Sequence, residues 1–211
     1  MPLRLALYSD QLIPANRVID ERLLRLIGVV RPRIGYFSST PDRLRHYFEL
    51  RRAYYAEIGV ALDCYVDAES EPLDAAVAAA LRCDAIHLTG GNTYAFLRWL
   101  QQHRLLDTLR AYARQQGVLV GTSAGAILMT PDIHTAALCG DVPDPSMADV
   151  RALALTSFRF LPHFVPDRLR PEMWASLVGP ESPIYACPDG SGVIVHGDDV
   201  ETYGAVTIIR Q

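Results

Sequence analysis

One serine sits between two glycines in Gly121-Thr-Ser-Ala-Gly125, with the apolar run Val118-Leu-Val before it and Ala126-Ile-Leu after it. The spacing is G-x-S-x-G on a strand-to-helix turn, the setting in which a serine hydroxyl is held out on a strained backbone and can act as a nucleophile. Cβ atoms at Gly121 or Gly125 would collide with the adjoining strand and helix, which is the mechanical reason for both glycines. The same turn places Ser123 at the start of a helix, where unpaired backbone N–H groups such as that of Ala124 favour developing negative charge. Small residues also pack any tight strand-helix corner, so a nucleophile needs further support from a base and an oxyanion hole.

The hole has a candidate in Thr89-Gly90-Gly91-Asn92, which follows an apolar run and precedes a helical one. Two glycines let the backbone approach a substrate closely, so the N–H of Gly91 is expected to pair with that of Ala124. Asn92 reads as the N-cap of the next helix. Among the six histidines, His134, His163 and His196 lie beyond the serine. His163, in Leu161-Pro-His-Phe-Val-Pro166, follows a strand-like run and is flanked by prolines that fix the loop, which suits a positioned base. His134 is nearer to Ser123 in sequence but lies past the helix, which makes its reach poorer. Asp189, opening the turn Asp189-Gly-Ser-Gly192, is the choice for the carboxylate that accepts the imidazole Nδ1–H. Its other role is that of an ordinary turn aspartate.

The elements that must position these groups alternate. Apolar runs at Leu3 to Tyr8, Arg33 to Phe37, Val60 to Val66, Ala85 to Leu88 and Val118 to Gly121 read as strands. Helical periodicity fills Arg17 to Gly28, Asp42 to Ile58, Pro72 to Leu81 and Thr93 to Gln116, the last split near His103. Such alternation predicts an α/β fold with a doubly wound, mostly parallel sheet, whose ligands sit beyond the carboxyl ends of the strands. Past Val150 the pattern turns to short extended segments: Leu153 to Phe160, Ile184 to Ala186, Gly192 to His196, Val200 to Tyr203 and Ala205 to Ile209. They predict a short mixed or antiparallel C-terminal margin. The Pro- and Asp-rich stretch Cys139 to Asp149 reads as a surface loop that could serve as a lid.

Composition narrows the classes. The 211 residues suit one domain, taken here as the whole chain, residues 1–211. A net charge of -4 provides no basic field for nucleic acid. Every basic side chain is arginine, which removes Schiff-base and lysine general-base chemistry. Cys64, Cys83, Cys139 and Cys187 form no C-x-x-C pair, so no zinc or redox motif is expected, and a reducing compartment fits. No run approaches a signal peptide or the roughly 20 apolar residues of a membrane span, so a cytoplasmic location is expected.

With Thr89-Gly-Gly-Asn-Thr-Tyr-Ala-Phe96, Gly121-Thr-Ser-Ala-Gly-Ala126, Leu161-Pro-His-Phe164 and Pro188-Asp-Gly-Ser-Gly192 in this order, the chain resembles the peptidase E and cyanophycinase family of serine peptidases. The order Ser, His, Asp differs from the Ser, Asp, His of α/β-hydrolases. The resemblance implies a flavodoxin-like fold similar to class I glutamine amidotransferases, whose own nucleophile is a cysteine at this turn. It implies Ser123 as nucleophile, His163 as base, Asp189 where the family often has glutamate, Gly91 as an oxyanion donor and Asn92 near the substrate. Peptidase E removes N-terminal aspartate from dipeptides and reads it with an arginine downstream of its histidine. Arg168 and Arg170 occupy that region here, Arg170 being the better match. The expected activity is that of a serine exopeptidase on small peptides, a dipeptidase working without metal or organic cofactor. A carboxypeptidase-like or cyanophycinase-like hydrolase and a non-catalytic binding module on the same fold stay open, as does a homodimer.

Overall fold

In the computed structural model, which describes residues 2–115, 117–166 and 182–210, strands β1 (Arg4–Tyr8), β2 (Arg33–Phe37), β3 (Ala61–Val66), β4 (Ala85–Leu88) and β5 (Val118–Thr122) are parallel and stand in the order β3-β2-β4-β5-β1. Strands β8 (Gly192–His196) and β9 (Asp199–Tyr203) extend the β1 edge as an antiparallel margin. A separate three-stranded sheet holds β6 (Arg159–Leu161), β7 (Ile184–Ala186) and β10 (Thr207–Ile209), with β6 parallel to β7. The fold is the predicted α/β arrangement, with the C-terminal segments divided between the two sheets.

Strand side chains alternate between faces, and helices cover both. In β1, Leu5 and Leu7 enter one core with α3 (Leu73–Ala80), α4 (Thr93–Gln102), α5 (Leu105–Arg114) and α6 (Ala124–Leu128). Ala6 and Tyr8 enter the other, with α1 (Arg17–Ile27) and α2 (His46–Glu57). Helix α1 shows the cause in miniature: Ile19, Leu23, Leu26 and Ile27 recur at helical spacing on its buried face, and Gly28 ends it in the left-handed conformation, donating its N–H to Leu24 O. The break between α4 and α5 falls at Arg104, at φ 56°. Among the described residues no helix is long and apolar enough to cross a membrane.

Two expected elements differ. Helix α2 begins at His46 rather than Asp42, because the Asp42 carboxylate accepts the Tyr47 N–H and the intervening residues form its approach. Leu153 to Phe160 is not a strand over its length. The N–H groups of Leu153, Ala154 and Leu155 donate to Leu128, Thr130 and Met129 around the end of α6, and strand pairing begins only at Arg159. An apolar run needs a pairing partner to become a strand, and here the end of α6 takes the hydrogen bonds instead.

Candidate active site

The site lies at the carboxyl ends of β1, β2, β4 and β5, with β6 and β7 delivering residues from the side. Strand β5 turns into α6 at Ser123, whose φ of 51° and ψ of -113° fall in a region that non-glycine residues occupy only when their surroundings force it. Those surroundings are visible. Ser123 donates its N–H to Tyr8 O of β1, and Gly125 donates its own to Thr89 O beyond β4. A Cβ on Gly125 would lie 2.0 Å from Leu88 O, and one on Gly121 would lie 2.5 Å from the Gly125 carbonyl carbon. The two glycines therefore let β4, β5 and α6 close around the serine.

Strands β6 and β7 run parallel with Leu161 opposite Ala186, so the residues just past their ends emerge together. Cys187 N–H to Leu161 O and Phe164 N–H to Cys187 O prolong the pairing. His163, at φ 54°, and Asp189 are thereby neighbours: Nδ1 of His163 lies 2.6 Å from Asp189 Oδ1, and Nε2 lies 2.8 Å from Ser123 Oγ. Against a carboxylate, which only accepts, Nδ1 donates, and a neutral ring then leaves Nε2 to accept the Ser123 hydroxyl proton. Both the imidazole and the carboxylate are partly open to solvent, at 39% and 49% of the side chain. Their mutual attraction is accordingly screened.

Sequence reasoning missed Ser9. It follows β1 directly, is fully buried, and accepts the His163 N–H at 2.7 Å while donating its hydroxyl to Asp189 Oδ1 at 3.0 Å. One buried hydroxyl thus holds both the backbone of the histidine and the carboxylate behind its ring. A polar residue one step past an apolar strand, in a fold that places its ligands there, was the available signal.

The N–H groups of Ala124 and Gly91 have no acceptor among the described residues. Gly90 O accepts the Ser39 hydroxyl at 2.5 Å, and since a trans peptide sets its C=O and N–H in opposite directions, the Gly91 N–H faces away from Ser39. Gly91 has φ 125°, and a Cβ there would fall 2.2 Å from Ser39 Oγ. Asn92 caps α4 by accepting the Ala95 N–H at 2.8 Å and is not in the cavity wall. His134 is elsewhere: its Nδ1 lies 2.7 Å from Asp132, which is also held by Arg159. Arg168 and Arg170 lie outside the described residues. The loop after Cys139 is tied to α4 through Thr93 N–H to Asp141 and an ion pair between Arg98 and Asp144.

Beside the serine opens a cavity of about 450 Å³ whose wall includes Ser123, His163, Gly90 and Gly91. That is within the range of small-molecule sites. Among the described residues no group of three or more His, Cys, Asp or Glu is placed to hold a metal ion. The arrangement is chemically complete for transferring an acyl group to Ser123: a hydroxyl, an oriented proton acceptor and free N–H donors close by.

The chain is similar to known proteins. The family model for peptidase family S51 matches residues 11–203. Peptidase E of Actinobacillus pleuropneumoniae serotype 5b is 29% identical over 137 residues, which cover 61% of this chain and 57% of that protein. The probable alpha-aspartyl dipeptidase of Drosophila melanogaster is 41% identical over 82 residues, covering 38% of this chain and 33% of that one. The matched part of the chain thus spans little more than half the length of the first of these relatives. Among solved structures, a Listeria monocytogenes EGD-e protein described as a candidate peptidase E has a TM-score of 0.76 at 19% identity, covering 96% of this chain and 98% of its own. A peptidase from an acI-B1 Actinobacterium has a TM-score of 0.67 at 13% identity, covering 99% and 95%. These two speak for the fold alone, while the family model runs through nearly every element described above, and by that match the chain belongs to peptidase family S51.

Proposed function

We propose that this protein is a serine exopeptidase of small peptides, acting as a dipeptidase. The observation that carries the reading is the hydrogen-bonded series Ser123, His163, Asp189, with contacts of 2.8 and 2.6 Å, at the edge of a cavity of about 450 Å³. The relatives named peptidase E and alpha-aspartyl dipeptidase support the same substrate class.

In this mechanism Ser123 Oγ attacks the peptide carbonyl carbon as its proton passes to His163 Nε2. The N–H groups of Gly91 and Ala124 stabilise the negative charge arriving on the carbonyl oxygen. Asp189 holds the imidazole in the required tautomer and offsets the positive charge it gains. His163 then gives the proton to the departing amine, the C–N bond breaks, and an ester to Ser123 remains. Water, deprotonated by the same Nε2, hydrolyses that ester and restores the serine. Helix α6 has only five residues, so its contribution to charge stabilisation is the free N–H rather than a long helix dipole.

The test is hydrolysis of Asp-Leu, Leu-Leu and Leu-Asp by wild type beside Ser123→Ala. Serine-dependent cleavage of a dipeptide is expected. Cleavage that survives Ser123→Ala, or cleavage of longer peptides only, would overturn the reading.

A further inference from the structure

The cavity beside Ser123 extends to two groups that the acyl-transfer chemistry does not use. Arg51, on α2, lines the cavity and is half-buried. Its guanidinium stacks 5.1 Å over the Tyr54 ring and makes no ion pair or hydrogen bond among the described residues. Its charge acts on Asp20, which is buried and already accepts the hydroxyls of Tyr8 and Tyr54 at 2.9 and 2.6 Å. Burial pushes the Asp20 carboxyl towards its neutral form. Asp10, the acid in the cavity wall, accepts the backbone N–H of Gln11 at 2.7 Å. A half-buried cation facing an open cavity without a partner is a receptor for an anion.

The second group is His87 of β4, whose ring is buried with one edge in the cavity wall. Its tautomer follows from a buried relay. Thr122 donates its hydroxyl to Gln11 Oε1 at 3.3 Å, and Gln11 Nε2 donates to Tyr55 Oη at 3.2 Å. Tyr55 lies 2.8 Å from His87 Nδ1, its remaining acceptor, and a buried hydroxyl left without one is costly. Tyr55 therefore donates to Nδ1. Burial, with the nearby charge of Arg51, keeps the ring neutral, so its proton resides on Nε2. That N–H has no partner among the described residues. Tyr36 stacks on the imidazole at 5.5 Å with the planes 5° apart and fixes where it points.

We propose that Arg51 and the Nε2–H of His87 form a subsite that takes a carboxylate of the substrate, a role distinct from that of the Ser123, His163 and Asp189 groups. The proposal rests on the reading of the cavity as a peptide-binding site and names what that site recognises. A charge and a neutral donor suit the two oxygens of one carboxylate, whereas an uncharged side chain would leave Arg51 without a partner. The carboxylate comes either from an acidic side chain on the residue being acylated or from the free C-terminus of the leaving residue.

The test needs no turnover. Binding of Asp-Leu, Asn-Leu and Asp-Leu-amide to the Ser123→Ala protein is measured by titration calorimetry, with and without Arg51→Met. Methionine is a good helix former and Arg51 is half-exposed, so the fold should be kept. Asp-Leu should bind roughly 10- to 100-fold tighter than whichever analogue lacks the recognised carboxylate, in line with a charge-assisted hydrogen bond. Weakness of Asn-Leu assigns the side chain, and weakness of the amide assigns the C-terminus. In either case Arg51→Met should erase the preference. Equal affinity for all three peptides, no binding of any at millimolar concentration, or a preference that survives Arg51→Met would overturn the subsite. Failure of the peptidase reading would appear separately, as wild-type turnover that does not depend on Ser123.

Discussion

Removing the hydroxyl of Ser9 tests how the site is held together. Ser9→Ala deletes one atom from a fully buried position and leaves backbone and volume nearly unchanged. Two hydrogen bonds go with it, from His163 N–H at 2.7 Å and to Asp189 Oδ1 at 3.0 Å. The first is between neutral groups and contributes about 0.5–1.5 kcal/mol, and the second, to a carboxylate, about 1.5–3 kcal/mol. Asp189 is half-exposed, so water replaces part of the second and the lower end applies. The expected loss of stability is about 2–3 kcal/mol by urea unfolding. The kinetic effect has a separate origin. His163 is held at φ 54°, a conformation that costs a non-glycine residue about 1–3 kcal/mol, and Ser9 is one of the contacts that impose it. With the acceptor gone the imidazole can shift, and a displacement near 1 Å at a reacting group costs about 100-fold. We expect kcat on a cleaved dipeptide to fall roughly 10- to 100-fold with KM nearly constant. A kcat within about twofold of wild type, with the stability loss present, would show that Ser9 braces the fold and does not position the histidine.

Asp189→Asn should reduce kcat by about 100- to 10000-fold, while His134→Ala, bound to Asp132 away from the cavity, should leave it unchanged; parity between the two would refute the assignment of the base. Gly125→Ala forces a Cβ to 2.0 Å from the Leu88 carbonyl oxygen, so β4 and α6 must separate; we expect at least about 2 kcal/mol of destabilisation, seen as a lower Tm, and an unchanged Tm would contradict the packing. Glu201 is held by Arg22 and Tyr203, which lower its carboxyl to about 2 from an ordinary 4.5. A carboxylate with a depressed pKa adds stability above its unfolded value and loses it as pH falls towards the folded one. Since Glu201 is more than a third exposed, Glu201→Gln should cost only about 1 kcal/mol at pH 7, and that difference should shrink between pH 4.5 and 2. A difference independent of pH would exclude the ion pair as its source.

What the sequence determined was local or periodic. Gly121 and Gly125 announce the turn around Ser123 by their spacing between a strand and a helix, and the reason for Gly121 lies within five residues, in the Gly125 backbone, whereas the close approach that requires Gly125 is that of Leu88 in β4. The alternation of apolar strands and amphipathic helices foretells a sheet covered on both faces, since Leu5 and Leu7 must find one core and Ala6 and Tyr8 another. His163 and Asp189 could be chosen as candidates, by residue type and by the loops that hold them. Their meeting depends on β6 pairing with β7, and strand pairing is a long-range choice that no window of sequence contains. The same limit misplaced Leu153 to Phe160: its apolar character was legible, but the acceptors for its N–H groups belong to the end of α6. Ser9 and Asp189 are 180 residues apart along the chain, and His87 obtains its tautomer from Tyr55, Gln11 and Thr122 on three other segments. Hydrogen-bond direction, and the lack of an ion pair for Arg51 among the described residues, are properties of what surrounds a group. Only the tertiary structure decided them, because burial and proximity exist only once the strands are in place.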